Sequence, residues 1–287
     1  MIKRINWKGI FIGLAWMITL SGLVVLMSFI EQEKHTQQCQ QIKVFIPGNQ
    51  TFVNRREVDR ILLNSGGQLI GQSLRSINMH ELEKALKMNP YIKSAKVYAD
   101  MDGTIWVRIK QREPVLRIIN SKNQDFYVDA DGLKIPVSPN FTANVLVANG
   151  FITEDLESRV SGLKTPIGKD LFKTARFIQQ DTLWSNQIDQ IYVNAKQEIE
   201  LATRIGDHQI IMGNADSLER KFKNLFIFYK RAMPKIGWNT YKTINLKYLN
   251  QIVCKKSGSQ PELIATASPA DSTVTDSVKT VQATVKN

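Results

Sequence analysis

Hydrophobic and polar positions divide this chain into one long apolar run, two mixed regions and a polar tail. The run, Gly9 to Ile30 (GIFIGLAWMITLSGLVVLMSFI), holds 22 positions without a charged side chain. At about 1.5 Å per residue it reaches roughly 33 Å, enough to cross a hydrocarbon core of about 30 Å. Lys3, Arg4 and Lys8 precede it, and Glu31 and Glu33 follow. The pattern predicts a single membrane-spanning helix over 9–30, with residues 1–8 in the cytoplasm and the rest outside, because basic flanks stay inside. A cleaved signal peptide fits less well. Its apolar core is usually about 7–15 residues long, and no small-x-small cleavage pattern follows here. Gly9 and Gly13, four apart at the inner edge, form a small-xxx-small pair that suits packing against another membrane helix.

Residues 31–41 are polar without an apolar period and read as a stalk. Ile42–Ile46 then alternates as a strand, closed by the turn signal Pro47-Gly48-Asn49. Asn54 is placed to cap a helix starting at Arg55, with Val58, Ile61 and Leu62 at helical spacing and Ser65-Gly66-Gly67 as its stop. A second helix is expected over about 78–88, ended by Asn89-Pro90. A hairpin follows, turning at Asp102-Gly103. Ile92, Ala95, Val97 and Ala99 lie on its first arm and Ile105, Val107 and Ile109 on its second, while Trp106, Arg108 and Lys110 point the other way. Strand, helix, helix, strand, strand is a small α+β unit over residues 42–114.

Residues 115–256 read as a second, β-rich unit with flanking helices. Strands are expected at Val115–Ile119, Phe126–Gly132 (running into a turn), Asn144–Phe151, Ile188–Asn194, Glu198–Arg204, His208–Met212 and Thr243–Cys254. Helices are expected at Pro166–Trp184 and from an Asp216 or Ser217 cap to about Met233. From Ser257 the chain turns to Ser, Thr, Ala, Val, Pro and Asp without an aromatic residue. Such a segment buries too little to order itself, so 257–287 reads as a disordered tail.

Composition narrows the function classes. The net charge is +12, and the folded part stays strongly basic once the N-terminal residues and the tail are set aside. Inside a cell this balance would point to nucleic acid. Outside a membrane it points to anionic lipid headgroups, cell-wall polymers or acidic proteins, or simply to a basic surface. Cys39 and Cys254, near opposite ends of the folded region, are expected to stay unpaired. His35, His80 and His208 belong to no metal-spaced cluster, and no nucleophile elbow, P-loop or dinucleotide fingerprint is present. Asp129, Asp131 and Gly132 suggest a turn better than a calcium loop, which lacks its remaining ligands here. These absences favour a binding protein over an enzyme, with no catalytic residue, metal, cofactor, nucleic acid or small-molecule substrate expected.

The order of parts resembles the FtsQ/DivIB family of bacterial cell-division proteins. Ile42-Lys43-Val44 with Pro47-Gly48-Asn49 resembles that family's opening strand and turn. Asn89-Pro90-Tyr91-Ile92-Lys93-Ser94-Ala95-Lys96-Val97 is similar to "P-x-V-x-x-A-x-V", and Ile105 to Pro114 to "L-x-I-x-V-x-E-R-x-P". Phe126 to Gly132 is similar to "L-V-D-x-D-G", Glu200 to Gly213 to a hairpin ending in "L-G", and Ile244-Asn245-Leu246-Lys247-Tyr248 to "I-D-L-R-Y". Lys221 matches a lysine in the intervening helix. Gln111 replaces Glu, and Asn245 and Lys247 replace Asp and Arg.

The resemblance implies a membrane anchor, a POTRA domain and a second β domain in a septal scaffold. That scaffold would bind FtsB/DivIC-like and FtsL-like single-pass coiled-coil proteins. A final strand at a sheet edge would let a partner segment add as a further strand. The candidates for that contact are Lys247, Tyr248, Asn250, Gln251 and Val253. A POTRA-type chaperone or secretion component, and a wall-binding anchor, are the competing readings. Barrel-length alternating strands after Pro114, which the first of these would need, are missing from the sequence.

Overall fold

A computed structural model of the chain describes residues 7–48, 52–157, 160–248 and 250–258. The long apolar run lies in helix α1 (Trp7–Thr36), which continues six residues past the expected end at Ile30. Side chains of α1 are described from Phe11 to Met27, and all of these are exposed. They cover roughly 26 Å of helix, less than a hydrocarbon core of about 30 Å. Among the described residues, no helix is long and apolar enough to cross a membrane. Gly9 lies on α1 outside the described side chains. A Cβ added at Gly13 would meet nothing within 4 Å. Of the expected tail, residues 259–287 lie outside the described residues.

Two compact units part between Gln111 and Arg112. After α1 the first contains β1 (Gln41–Phe45), α2 (Arg55–Gly66), α3 (Met79–Lys87), β2 (Ile92–Ala99) and β3 (Thr104–Gln111). Asn54 and Asn78 cap the helices as their positions suggest. Each side-chain oxygen accepts an N–H three residues on, from Glu57 at 2.9 Å and from Glu81 at 3.1 Å. The sheet order is β1-β3-β2, with β1 parallel and β2 antiparallel to the central strand. Ala95, Val97, Ile105, Val107 and Ile109 are buried on one face together with Val58, Leu62, Leu82 and Leu86 of the helices. Full burial of each large apolar side chain is worth about 1.5–3 kcal/mol.

Only part of the expected stalk is free-standing. The Cys39 amide donates to Gln72 O at 2.8 Å and Gln40 to Gly103 O at 2.9 Å. The Cys39 side chain is buried. Gly103 has φ of +83°, and an added Cβ would sit 2.7 Å from Gln38 O, so the hairpin turn needs glycine for both conformation and space. At the other end of β3 the buried Gln111 accepts the Val53 amide at 2.9 Å. An amide oxygen here fills a place where the resemblance expects a carboxylate.

The second unit contains β4 (Pro114–Ile119), β5 (Asp125–Asp129), β6 (Leu133–Pro136), β7 (Leu146–Gly150), β8 (Ser161–Gly162), α4 (Pro166–Gln180), α5 (Thr182–Gln187), β9 (Ile188–Val193), β10 (Ile199–Thr203), β11 (Gln209–Gly213), α6 (Leu218–Arg231), α7 (Met233–Ile236), β12 (Tyr241–Asn245) and β13 (Val253–Lys256). Pro114, expected to close the first unit, opens the second. One sheet of ten strands runs β13-β12-β11-β10-β9-β7-β4-β5-β6-β8. Its core joins Leu116, Ile118, Ile191, Leu201, Ile210 and Ile244 from strands with Leu171, Ile178, Trp184, Phe222 and Leu225 from helices.

Several expected elements changed on folding. The helix over 166–184 breaks at Asp181, whose carboxylate accepts the Leu183 amide at 2.8 Å and starts α5 afresh. Ser217 adopts φ of +53° and gives α6 no side-chain cap, so neither proposed cap works as expected. Strands β6 and β8 lie where no strand was expected. The Asp129–Gly132 turn is held internally: Asp129 Oδ1 accepts the amides of Asp131 at 3.0 Å and Leu133 at 2.9 Å. Arg112 reaches Asp129 Oδ2 at 2.7 Å, joining two of the resemblance motifs in one ion pair.

Candidate functional site

The expected final strand over Thr243–Cys254 is two strands. β12 stops at Asn245, whose side-chain oxygen accepts the Lys247 amide at 3.0 Å and turns the chain. The Leu246 amide donates to Ile211 O at 2.8 Å, and its side chain is buried. The chain then returns as β13, antiparallel to β12, with Asn245 opposite Val253 and Ile244 opposite Cys254. Of the five candidate contact residues, only Val253 sits on a strand. Lys247, Tyr248, Asn250 and Gln251 lie in the connecting loop.

That loop is anchored from both sides. Lys247 Nζ lies 2.8 Å from Glu198 Oε1, and its stem covers Gly213, where a Cβ would come within 2.9 Å of it. The hydrogen bond that Lys247 donates to Glu198 raises the Lys247 pKa, and Lys247 in turn holds Glu198 below the usual carboxylate range. Ile252 and Cys254 pack against the core, leaving Val253 and Lys255 outward. Burial pushes the Cys254 thiol up to about 11, which suits a small apolar side chain rather than a reactive one. Both cysteines are free.

The result is a short edge strand with an apolar shoulder. Tyr248 is 50% exposed and Val253 42%, beside the exposed Lys255 and Lys256. In the sheet order no described strand lies beyond β13. Its backbone can therefore pair with an added strand, and the lysines guard it against indiscriminate pairing. Lys255, Lys256 and the Glu198 anchor escaped the sequence reading. The lysine pair was visible as charge, but placing it on an edge required the β12–β13 turn. Among the described residues, no group of three His, Cys, Asp or Glu could hold a metal ion.

A POTRA-like unit followed by a β-rich unit ending in an open edge defines a class of bipartite architecture. A family model described as FtsQ/DivIB, C-terminal related, matches residues 113–255, and a POTRA-like domain model matches 37–110. The chain is similar to the cell division protein FtsQ of Geotalea daltonii, 24% identical over 207 residues covering 72% of each chain. It is also similar to the cell division protein DivIB of Clostridium acetobutylicum, 19% identical over 170 residues, 58% of this chain and 67% of that one. The chain belongs to the FtsQ/DivIB family of cell-division proteins.

Proposed function

We propose that this chain is a non-catalytic scaffold of the division septum. It binds small single-pass coiled-coil proteins of the FtsB/DivIC and FtsL type and links early and late septum assembly. Residues 9–30 form its single membrane anchor, with the N-terminus cytoplasmic and both folded units on the outer side. Charge-free length and the basic flank support that topology. Gly9 and Gly13 offer a place for a partner's membrane helix to approach closely.

One observation carries the binding mode: the ten-stranded sheet ends in exposed β13 with no described strand on its outer side. A partner segment adds there as the next strand. Backbone hydrogen bonds supply affinity, Tyr248 and Val253 the apolar contact, and Asn250 and Gln251 a polar rim. Lys247, tied to Glu198, fixes the loop that presents them.

The test is retention of a purified FtsB/DivIC-like protein by the full chain in detergent. Wild type is compared with Tyr248→Ala and with Val253→Asp, which puts a charge on the apolar contact of the edge strand. Val253→Asp is expected to lose about tenfold or more in affinity, or roughly 1.4 kcal/mol, with its melting temperature nearly unchanged. Equal retention by all three proteins would sink the edge mechanism.

A further inference from the structure

The outward face of the POTRA sheet has no part in that scheme, yet its composition is far from neutral. Strand register places Lys43 beside Trp106, Trp106 beside Tyr98, and Lys96 beside Arg108. Lys110 continues the same face of β3. All four cations are exposed, Tyr98 is 39% exposed and Trp106 half-buried. Lys43 Nζ lies 5.0 Å from the Trp106 ring centroid, and Arg108 lies 5.7 Å from that of Tyr98. The nearby carboxylate, Asp102, is spent on the hairpin turn: it holds the Thr104 amide at 2.8 Å and the Thr104 hydroxyl at 2.9 Å.

We infer that this face docks on anionic phospholipid headgroups of the membrane in which the chain is anchored. The inference rests on the proposed anchor over residues 9–30. Adjacent strands are about 4.8 Å apart, so the cations spread over a nearly flat area about 10 Å wide. That shape fits a headgroup layer, where Trp and Tyr also settle with their apolar bodies inward and polar ends wet. An acidic polypeptide would suit a groove or an edge better than an open sheet face. Connectivity favours the same occupant. β1 begins eleven residues after the proposed anchor ends at Ile30, six of them in α1, so its reach from the membrane is at most about 26 Å. Cross-strand cation–π pairs that merely stiffen the sheet would give the same geometry but no dependence on lipid charge.

Quenching of tryptophan emission by brominated lipid distinguishes these cases. The full chain is reconstituted into vesicles of neutral phosphatidylcholine, or of phosphatidylcholine with about 30% phosphatidylglycerol. Subtracting Trp106→Phe isolates Trp106 from Trp7 and Trp16, which report on the anchor. Expected is Trp106 quenching in anionic vesicles. It should fall to the neutral-vesicle value in Lys43→Glu/Arg108→Glu, and at about 0.5 M salt, where the screening length is roughly 4 Å. The milder pair Lys43→Gln/Arg108→Gln should fall in between, with melting temperatures showing that each variant is folded. Equal quenching in both lipids, or none in anionic vesicles, overturns the inference. So does an emission shift with polyglutamate but not with anionic vesicles, which would assign the face to an acidic polypeptide. Absence of quenching of Trp7 and Trp16 in both lipids refutes the anchor separately.

Discussion

The ten-stranded sheet finishes its two ends in opposite ways. At the β6–β8 end, Lys134 Nζ lies 2.6 Å from Glu154 Oε1, both side chains 1% exposed. The Glu154 carboxylate also takes the Lys164 amide and the Thr165 amide and hydroxyl. At the β13 end there is only a four-residue strand, two lysines and the half-exposed Lys247–Glu198 pair. The first end is locked by groups that cannot separate without stranding a buried charge, whereas the second opens at little cost. The POTRA sheet follows the closed pattern at both edges. Glu83 accepts the Val97 amide of β2 at 2.8 Å, and Arg55 donates to Ile42 O of β1 at 3.0 Å. An edge whose polar groups are already occupied is a poor template for a new strand, and one left with bare backbone is a good one.

The largest test of this contrast is at the locked end. Glu154→Ala leaves Lys134 buried and unpaired and should cost about 3–5 kcal/mol in denaturant unfolding of the β unit. A cost near that of a surface substitution would show that the end is not locked. Acid should act on the same group. Burial raises the Glu154 pKa, but Lys134, Thr165 and the backbone bring it below its ordinary 4.5. A depressed carboxylate adds stability above its unfolded-state pKa and loses it as pH falls through the folded one. Stability should therefore drop on acidification below about 4.5, and Glu154→Gln should flatten that limb.

A second, milder limb should precede it. Burial lowers the pKa of His208 below 6.5, its Nε2 lying 2.6 Å from the Tyr229 hydroxyl and its Nδ1 buried without a partner. A histidine held neutral by the fold favours folding above about 6.5 and loses that contribution as pH falls through its depressed value. A His208→Gln variant followed by thermal melts should lack the decline that begins near pH 6.5.

Closing or opening an edge should give smaller changes. Glu83→Ala removes the cap on Val97, at a cost of about 1 kcal/mol, and should speed hydrogen exchange of the Val97 amide. Unchanged exchange would mean that the edge was not capped. The smallest effect belongs to Lys247→Met, because the pair is partly solvated. It should weaken partner binding more than it changes the melting temperature.

Much of the fold was legible because it depends on local rules. Asn54 caps where an Asn before a helical period should, and Ala95, Val97, Ile105, Val107 and Ile109 alternate as a half-buried hairpin must. The candidate site was legible only in outline. Tyr248 and Val253 were chosen as strand residues, but the Asn245 turn puts Tyr248 on a loop and leaves Val253 on an extra strand. A continuous apolar–polar run such as TINLKYLNQIVC does not reveal where it folds back, since an Asx turn needs only one side-chain hydrogen bond. Strands β6 and β8 were missed for a related reason. They are four and two residues long, too short to show an alternating period, and β6 pairs with β8 across nearly 30 residues of sequence.

The sequence by itself determined the α+β class, the strand-helix-helix-strand-strand order of the first unit, the Asn54 cap, the hairpin turn at Gly103 and the family, because spacing and turn chemistry act over a few residues. Only the tertiary structure decided which edges are open. Whether a strand's N–H and C=O groups are occupied depends on side chains such as Glu83 and Arg55, which arrive from other elements. The pairing of β12 with β13 then leaves one backbone row without a partner strand among the described residues.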